Sequence, residues 1–167
     1  IRPDRWQSLY LPPMQETTTL TTPKPSLIKE ALRLGKLRLS TSVVFSSVAG
    51  YFLGMEVFSW TQLALLIFGG ITVVAASNAY NQIYEKDRDA LMNRTKGRPL
   101  PLGTLTLREA WFIATFLLVV GLWALYEINP MTAYFGALSV VLYTLVYTPL
   151  KAITPLAVFV GAIPGAI

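Results

Sequence analysis

The chain has 167 residues, of which 53% are hydrophobic and 14% charged, and its net charge is +5. Soluble domains carry about a quarter charged residues, and here the bases lie at the ends of apolar runs, so the composition argues against a soluble or nucleic-acid-binding protein. The chain contains no cysteine and no histidine, which excludes disulfides, thiolate chemistry and histidine ligands within it.

The first segment, residues 1–28, is rich in proline and threonine, and we predict that it is a disordered lead-in. The chain opens with Ile1, and Met14 is a candidate initiator. A basic stretch at residues 29–38 precedes the first apolar run. Its Lys36 and Arg38 either fix membrane topology or reach a bound anion.

Long apolar runs follow, each exceeding the ~20 residues that cross a bilayer. We predict an all-α integral membrane bundle of about four complete transmembrane helices plus the start of a fifth. The predicted helices cover residues 39–57, 61–84, 108–127 and 131–149, and the fifth opens at Thr154-Pro155. The final apolar run has no polar flank, so we expect the chain to be truncated.

The charges also predict an orientation. Every Lys and Arg from residue 29 onward lies before the first helix, in the loop 85–108, or after the fourth helix, whereas the other two turns contain only Glu56 and Glu127. The positive-inside rule therefore places the N-terminus and the loop 85–108 in the cytoplasm.

A polar helix face lies at residues 78–89. Asn78, Asn81, Glu85 and Asp89 fall within about 80° of one another on a helix. Glu85 and Asp89 are one turn apart and repel unless a positive charge lies between them. Mg²⁺ is bound by one or two carboxylates together with substrate phosphates, and Asn81 could add a ligand or orient the carboxylates.

Two arginines follow this face, and Arg94 and Arg98 have the spacing and planar groups that suit phosphate oxygens. The segment therefore favours a diphosphate site at the membrane surface. The alternative is a solvated connector whose surface ion pairs contribute little. Asparagines that extend into an apolar helix, and the turn residues Gly97, Pro99 and Pro101, favour the site.

These residues resemble a known motif. Asn81, Glu85, Asp87 and Asp89, followed by Met92, Arg94-Thr95 and Arg98-Pro99-Leu100-Pro101, resemble the first Asp-rich motif of the UbiA-type intramembrane prenyltransferases. Met92 before Arg-Thr, the run Tyr143–Lys151, Thr154-Pro155 and the closing GAIPGAI resemble the haem O synthase (protoheme IX farnesyltransferase) branch. The resemblance covers residues 29–167 and implies the N-terminal half of a transmembrane prenyltransferase domain.

The resemblance implies transfer of a farnesyl group from farnesyl diphosphate to a vinyl group of protoheme IX, with Mg²⁺ as cofactor. It also implies a bacterial cytoplasmic membrane and partners in cytochrome oxidase assembly. The apolar helices would shield the farnesyl cation from water, together with Tyr143 or Tyr147 through a cation–π contact. The implied catalytic residues are Asn81, Glu85 and Asp89, the metal ligands are Glu85 and Asp89 with Asp87 as a weaker candidate, and the diphosphate ligands are Arg94, Arg98 and Lys151.

Two departures from the family pattern matter. Glu85 stands where an aspartate is more common, and the second acidic motif of such enzymes lies beyond this chain, so we expect the chain alone to be inactive. Two alternatives remain open. One is a UbiA-type transferase of quinone biosynthesis that prenylates an aromatic acceptor, and the other is a transporter or non-catalytic membrane subunit.

Overall fold

The computed structural model describes residues 26–151, 153–154, 157, 159 and 161–162, with the backbone alone at 37–39. Most of the predicted lead-in, residues 1–25, lies outside the described residues. The last residues of that segment begin a helix, since Ser26 caps it. The helices are α1 (Leu27–Gly35), α2 (Leu37–Gly54), α3 (Trp60–Leu91), α4 (Leu107–Tyr126), α5 (Pro130–Val141), a π-helical segment (Leu142–Tyr147) and α6 (Thr148–Leu150).

The described residues form helices and turns, which confirms the predicted all-α membrane bundle. Three helical stretches are long and apolar enough to cross a membrane: Trp60–Leu91, Leu107–Tyr126 and Pro130–Leu150. The last of these joins α5, the π-helical segment and α6. The predicted first crossing corresponds to α2, which has 18 residues but a composition diluted by serine. Of the predicted fifth helix, residues 157, 159 and 161–162 are helical.

The longest helix, α3, has 32 residues. At 1.5 Å per residue it spans about 48 Å, which exceeds the ~30 Å hydrocarbon core. Sequence placed the end of this helix near residue 84, but the helix continues to Leu91. Residues 85–91 contain no glycine or proline and several good helix formers, so the polar segment continues the same helix beyond the apolar region.

Local sequence defines the ends of the other spans. Thr106 and Glu109 form a capping box at the start of α4. The side chain of Asn129 accepts a hydrogen bond from the Met131 amide, and Pro130 occupies the first turn of α5. These caps fix the residue at which each helix begins. A short turn joins α4 to α5, and the two helices form an antiparallel pair packed beside α3.

The central helix α3 packs against α4, α2, α5 and α1. Glycine allows α3 and α4 to approach closely, since a Cβ at Gly121 would lie 2.5 Å from Thr72 Oγ1 and 3.0 Å from the Val73 amide nitrogen. Small buried residues of both helices, such as Ala79 and Ala110, belong to one core cluster. Close helix packing through small residues is typical of membrane proteins. The contact with α4 therefore fixes the position of α3, whose C-terminal part carries the polar face.

Helix α1 was not predicted as a separate element, because its residues were interpreted as a basic segment that precedes the first span. It ends at Lys36, whose φ of 47° lies in the left-handed region and turns the chain into α2. Gln82 Nε2 donates to the Leu34 carbonyl at 2.6 Å, and Asn78 Nδ2 donates to the Gly35 carbonyl at 3.4 Å. These bonds fasten the end of α1 to the polar face of α3.

Candidate functional site

The polar face of α3 is buried within the bundle. Asn78, Asn81, Glu85 and Asp89, which sequence placed on one face, are all buried, and Asn81 and Asp89 are each only 2% exposed. Gln82 joins them at 1% exposed. Buried polar groups are costly unless they have partners. The partners of this face therefore define the site.

Two cations pair with the two carboxylates. Lys151 Nζ lies 2.8 Å from Glu85 Oε1, and the Arg98 guanidinium forms an ion pair with Asp89. Arg98 Nη1 also lies 3.9 Å from Glu85 Oε2, so it bridges the two acids. The structure thus brings together four residues that the resemblance assigned to metal and diphosphate binding: Glu85, Asp89, Arg98 and Lys151.

Hydrogen bonds orient the acids and the amide between them. Asn81 Nδ2 donates to Glu85 Oε2 at 3.1 Å, and Thr148 Oγ1 lies 3.0 Å from Asn81 Oδ1 and 2.9 Å from the Tyr143 carbonyl. Thr95 Oγ1 donates to the backbone carbonyl of Asp89 at 3.0 Å. These bonds restrict the rotamers of the site and fix the loop that follows α3.

Two irregular segments bring the cations to α3. The π-helical segment Leu142–Tyr147 changes the helical register just before Thr148 and Lys151, and such segments are frequent at functional sites. After α3, the chain makes successive turns, with Lys96 N donating to the Met92 carbonyl at 2.9 Å and Arg98 N donating to the Thr95 carbonyl at 2.9 Å. These turns direct Arg98 back towards Asp89.

Lys36, at the junction of α1 and α2, belongs to the same electrostatic environment. Burial lowers the pKa of Lys36 from its ordinary value of 10.5, and the nearby positive charge of Arg98 lowers it further, while Glu85 and Asp89 act in the opposite direction. Three cations, Lys36, Arg98 and Lys151, therefore face two carboxylates. An excess of positive charge at a partly buried site favours an anionic ligand.

Other predicted residues lie outside this cluster. Asp87 and Arg94 are exposed, and neither forms an ion pair within the part of the chain that the structure describes. Asp87 lies two residues from both Glu85 and Asp89, which turns it to the opposite side of α3. Accordingly, no group of three acidic side chains gathers within the described residues. The side chain of Arg38 is not among those described.

Sequence reasoning overlooked several contributors. Gln82 lies one turn after Asn78, and that spacing alone could have indicated a longer polar face. Thr148 and Thr95 gave no such signal, because threonine is common in both loops and membrane helices. Thr148 contacts Asn81, 67 residues earlier in the chain, and Thr95 donates to the backbone carbonyl of Asp89 in the turn that follows α3.

An apolar groove adjoins the polar cluster. A cavity of about 310 Å³ lies between α2, α3, α5 and the π-helical segment, with Asn78 and Tyr143 among its lining residues. It shares Val73 with a second cavity of about 500 Å³ deeper in the bundle. Tyr143 and Tyr147 stack with ring centroids 4.9 Å apart. The groove has the size and apolar walls that suit a hydrocarbon chain.

The side-chain atoms of this site that could bind a metal ion are oxygen atoms. The carboxylates of Glu85 and Asp89 and the amide oxygen of Asn81 are hard ligands, which suit Mg²⁺ or a similar divalent cation. Two carboxylates are too few to enclose the ion completely, but they match the arrangement in which substrate phosphates and water complete the coordination. The donor set therefore fits a divalent metal that binds together with a diphosphate.

Comparison with known proteins identifies the family of the chain. Residues 43–167 match the UbiA prenyltransferase family. The chain is 54% identical over 150 residues to a protein named protoheme IX farnesyltransferase from Christiangramia forsetii, covering 90% of this chain and 50% of that protein. A Flavobacterium psychrophilum protein of the same name is 55% identical over 148 residues, covering 87% and 49%.

A more distant relative is the human mitochondrial protoheme IX farnesyltransferase, 39% identical over 136 residues, which cover 81% of this chain and 31% of the human protein. The chain spans about half the length of the bacterial relatives that it matches. No solved structure matches it significantly. Its apolar helices and this relationship make it an integral membrane protein. The match over most of the chain shows that it belongs to the UbiA prenyltransferase family.

Proposed function

We propose that the chain acts in haem O biosynthesis, in transfer of a farnesyl group from farnesyl diphosphate to a vinyl group of protoheme IX. The names of its relatives support this donor and this acceptor. The structural observation that carries the proposal is the pair Glu85 and Asp89, held by Lys151 and Arg98 beside an apolar groove. The charged cluster would bind the diphosphate end of a prenyl diphosphate, and the apolar groove would bind its hydrocarbon chain.

The metal in this proposal is Mg²⁺. Prenyltransferases of the UbiA family generally use a divalent metal for diphosphate binding. Glu85, Asp89 and Asn81 would hold the ion, and Asp87 is a weaker candidate because its side chain is exposed on the other side of α3. When bound, the ion would neutralise charge on the diphosphate.

Arg98 and Lys151 would bind the leaving group. In the reaction, the bond between C1 of the farnesyl group and the diphosphate oxygen breaks, and the electron pair leaves with the diphosphate. The π electrons of the haem vinyl group then form the bond between its terminal carbon and C1. Water adds to the cation that remains on the other vinyl carbon and loses a proton, which gives the hydroxyl group of the product. Positive groups fixed beside the departing oxygen stabilise the charge that develops there. Lys36 would add a third positive charge at the same end. Arg94 is exposed and would have to approach from the solvent side.

The groove would hold the farnesyl chain and exclude water from the allylic cation. Tyr143 lines the cavity of about 310 Å³, and its ring stacks on Tyr147. Lys151 Nζ lies 5.8 Å from the centroid of the Tyr147 ring, so this ring links the diphosphate end to the apolar end. Aromatic faces at this position would stabilise positive charge on the farnesyl carbon skeleton.

The proposed location is the cytoplasmic membrane of a bacterium, with the N-terminus and the loop after α3 in the cytoplasm. The distribution of Lys and Arg supports this orientation. Partners in cytochrome oxidase assembly are part of the same proposal.

The test is mass spectrometry of haems extracted from membranes that express the complete reading frame in a host lacking haem O. We expect a new haem that is heavier than protohaem by one farnesyl and one hydroxyl group. If the folded, inserted protein yields protohaem alone, the haem assignment is wrong. Prenylation of an added aromatic acceptor would then support the quinone-type transferase, and absence of transfer to either acceptor would support a non-catalytic subunit.

A further inference from the structure

Helix α1 has three distinct faces. Glu30 and Leu34 are buried against the rest of the protein. Leu27, Ile28 and Leu32 are 54%, 74% and 51% exposed, and together they form an apolar arc of about 140° on the helix. Two basic residues lie next to this arc on the helix surface. Lys29 is exposed, and the side chain of Arg33 is 48% exposed. Such a distribution is typical of helices that lie in a membrane interface.

Protein contacts fix the other side of α1. Arg33 donates to Glu30 Oε1 at 3.3 Å and to the Gly97 carbonyl at 3.4 Å, and Thr104 Oγ1 donates to Glu30 Oε2 at 2.8 Å. Together with the bonds from Gln82 and Asn78, these contacts prevent α1 from rotating. The exposed apolar arc therefore has one fixed direction relative to the bundle.

The position of α1 along the length of α3 matches the boundary between the hydrocarbon core and the headgroups of a bilayer. From Trp60 to Ala79 is 20 residues of α3, or about 30 Å, which equals the thickness of the hydrocarbon core. Asn78 and Gln82, which bind the C-terminal carbonyls of α1, lie at the end of this length. One residue, Lys36, separates α1 from α2. An apolar arc at this height, with lysine beside it, faces acyl chains on one side and headgroup phosphates on the other.

We propose that α1 is an interfacial helix that binds the lipid bilayer, with Leu27, Ile28 and Leu32 in contact with acyl chains and Lys29 at the level of the headgroups. This proposal rests on membrane location alone and does not depend on the proposed reaction. Its consequence for the site is mechanical. The bilayer holds α1 in place, and α1 is bonded to Asn78 and Gln82, which lie on either side of Asn81 along α3.

The test uses nitroxide labels on single cysteines in the complete protein, reconstituted into phosphatidylcholine–phosphatidylglycerol nanodiscs. This chain contributes no native cysteine to interfere. Ile28→Cys, Leu32→Cys and Lys29→Cys are compared by collision with oxygen, which concentrates in lipid, and with a water-soluble nickel complex. Phe112→Cys, 73% exposed on the membrane-spanning α4, is the lipid reference, and Asp87→Cys is the water reference.

We expect the labels at residues 28 and 32 to behave like the label at residue 112, and the label at residue 29 to collide with nickel at least several-fold more often. If residues 28 and 32 are as accessible to nickel as residue 87, α1 lies in water and the proposal is wrong. If they are shielded from both oxygen and nickel, another protein segment covers the arc, and the proposal is equally wrong. Because single labels at exposed positions leave the buried contacts intact, failure to fold does not confuse the result.

Discussion

The hydroxyl of Thr148 lies 3.0 Å from the side-chain carbonyl of Asn81, 67 residues earlier in the chain, and 2.9 Å from the Tyr143 carbonyl, so these two acceptors share its one proton. The amide of Asn81 in turn donates to Glu85. A hydroxyl of α6 thus helps to orient the Asn81 amide, and through it a carboxylate in the proposed metal site. This relay makes the geometry of the site depend on the packing of two separate spans.

Thr148→Val should lower prenyl transfer about tenfold while leaving the protein folded, because valine keeps the shape but removes the bond that orients Asn81. One neutral hydrogen bond contributes about 0.5–1.5 kcal/mol, which corresponds to up to roughly tenfold. The matched control is Thr144→Val on the same stretch, since Thr144 Oγ1 is buried and has no hydrogen-bond partner among the described residues. Equal losses in the two variants, measured as haem O formed per folded protein, would contradict the relay.

Glu85→Gln and Asp89→Asn should each reduce transfer by at least a hundredfold, since each removes a charge that the proposed metal site requires while preserving shape. Asp87→Asn is the control on the same helix, and we expect less than a threefold change because that side chain is exposed on the opposite side. The variants are compared by haem mass spectrometry across a Mg²⁺ titration. A large loss of activity in Asp87→Asn would show that this side chain contributes to the metal site.

Arg98→Gln and Lys151→Gln should weaken transfer by one to two orders of magnitude, because each leaves a buried carboxylate without its cation and removes a diphosphate contact. Arg94→Gln should change it less than about threefold, since Arg94 is exposed. Initial rates at varied farnesyl diphosphate give kcat and KM for each variant. If Arg94→Gln loses as much as Arg98→Gln, the arginine that approaches from solvent is essential after substrate binds.

The helical architecture could be predicted from sequence because it depends on local properties. Uncharged runs of more than 20 residues and the asymmetry of Lys and Arg indicated the spans directly. Two elements could not be predicted this way. Helix α1 is stabilised by contacts such as Glu30 with Thr104, 74 residues apart. The end of α3 was misplaced because the polar segment after residue 84 was interpreted as a loop, although its residues favour a helix.

The candidate site was predictable only in part, for a similar reason. Asn81, Glu85 and Asp89 share a face through helical spacing, which sequence reveals. The choice between Arg94 and Arg98 depends on how the turns after Met92 direct each side chain, and sequence spacing does not determine this. Thr148 reaches Asn81 only after the π-helical segment has altered the register, which no simple periodicity predicts.

Gly121→Ala should destabilise the bundle by about 1–3 kcal/mol, because its Cβ would lie 2.5 Å from Thr72 Oγ1 and 3.0 Å from the Val73 amide, and overpacking forces the helices apart. Gly50→Ala in α2 is the control, since nothing lies within 4 Å of its Cβ. Alanine there should be neutral or stabilising by up to about 1 kcal/mol. Thermal unfolding in detergent measures both variants. Equal midpoints would mean that α3 and α4 do not pack this closely.

Lys36→Met should raise the unfolding midpoint near neutral pH, with a gain that shrinks as the pH rises. Burial and the neighbouring Arg98 lower the pKa of Lys36 in the folded protein below its ordinary value of 10.5, so the folded state carries an unfavourable charge at neutral pH. Between the lowered pKa and 10.5 the unfolded state binds more protons, and the stability of the wild-type protein therefore increases with pH. Methionine removes the charge at every pH and retains the left-handed backbone, so strain at φ 47° cancels from the comparison.

The control for this experiment is Lys96→Met, which removes an exposed lysine from the loop after α3 and should leave the midpoint unchanged at pH 7.5 and pH 10. We also expect Lys36→Met to raise the KM for farnesyl diphosphate, because the charge that destabilises the free protein would be neutralised by the bound diphosphate. A stability gain without loss of affinity would show that Lys36 stands near the site but does not contact its anion. A gain that increases with pH would contradict the assigned burial of its charge.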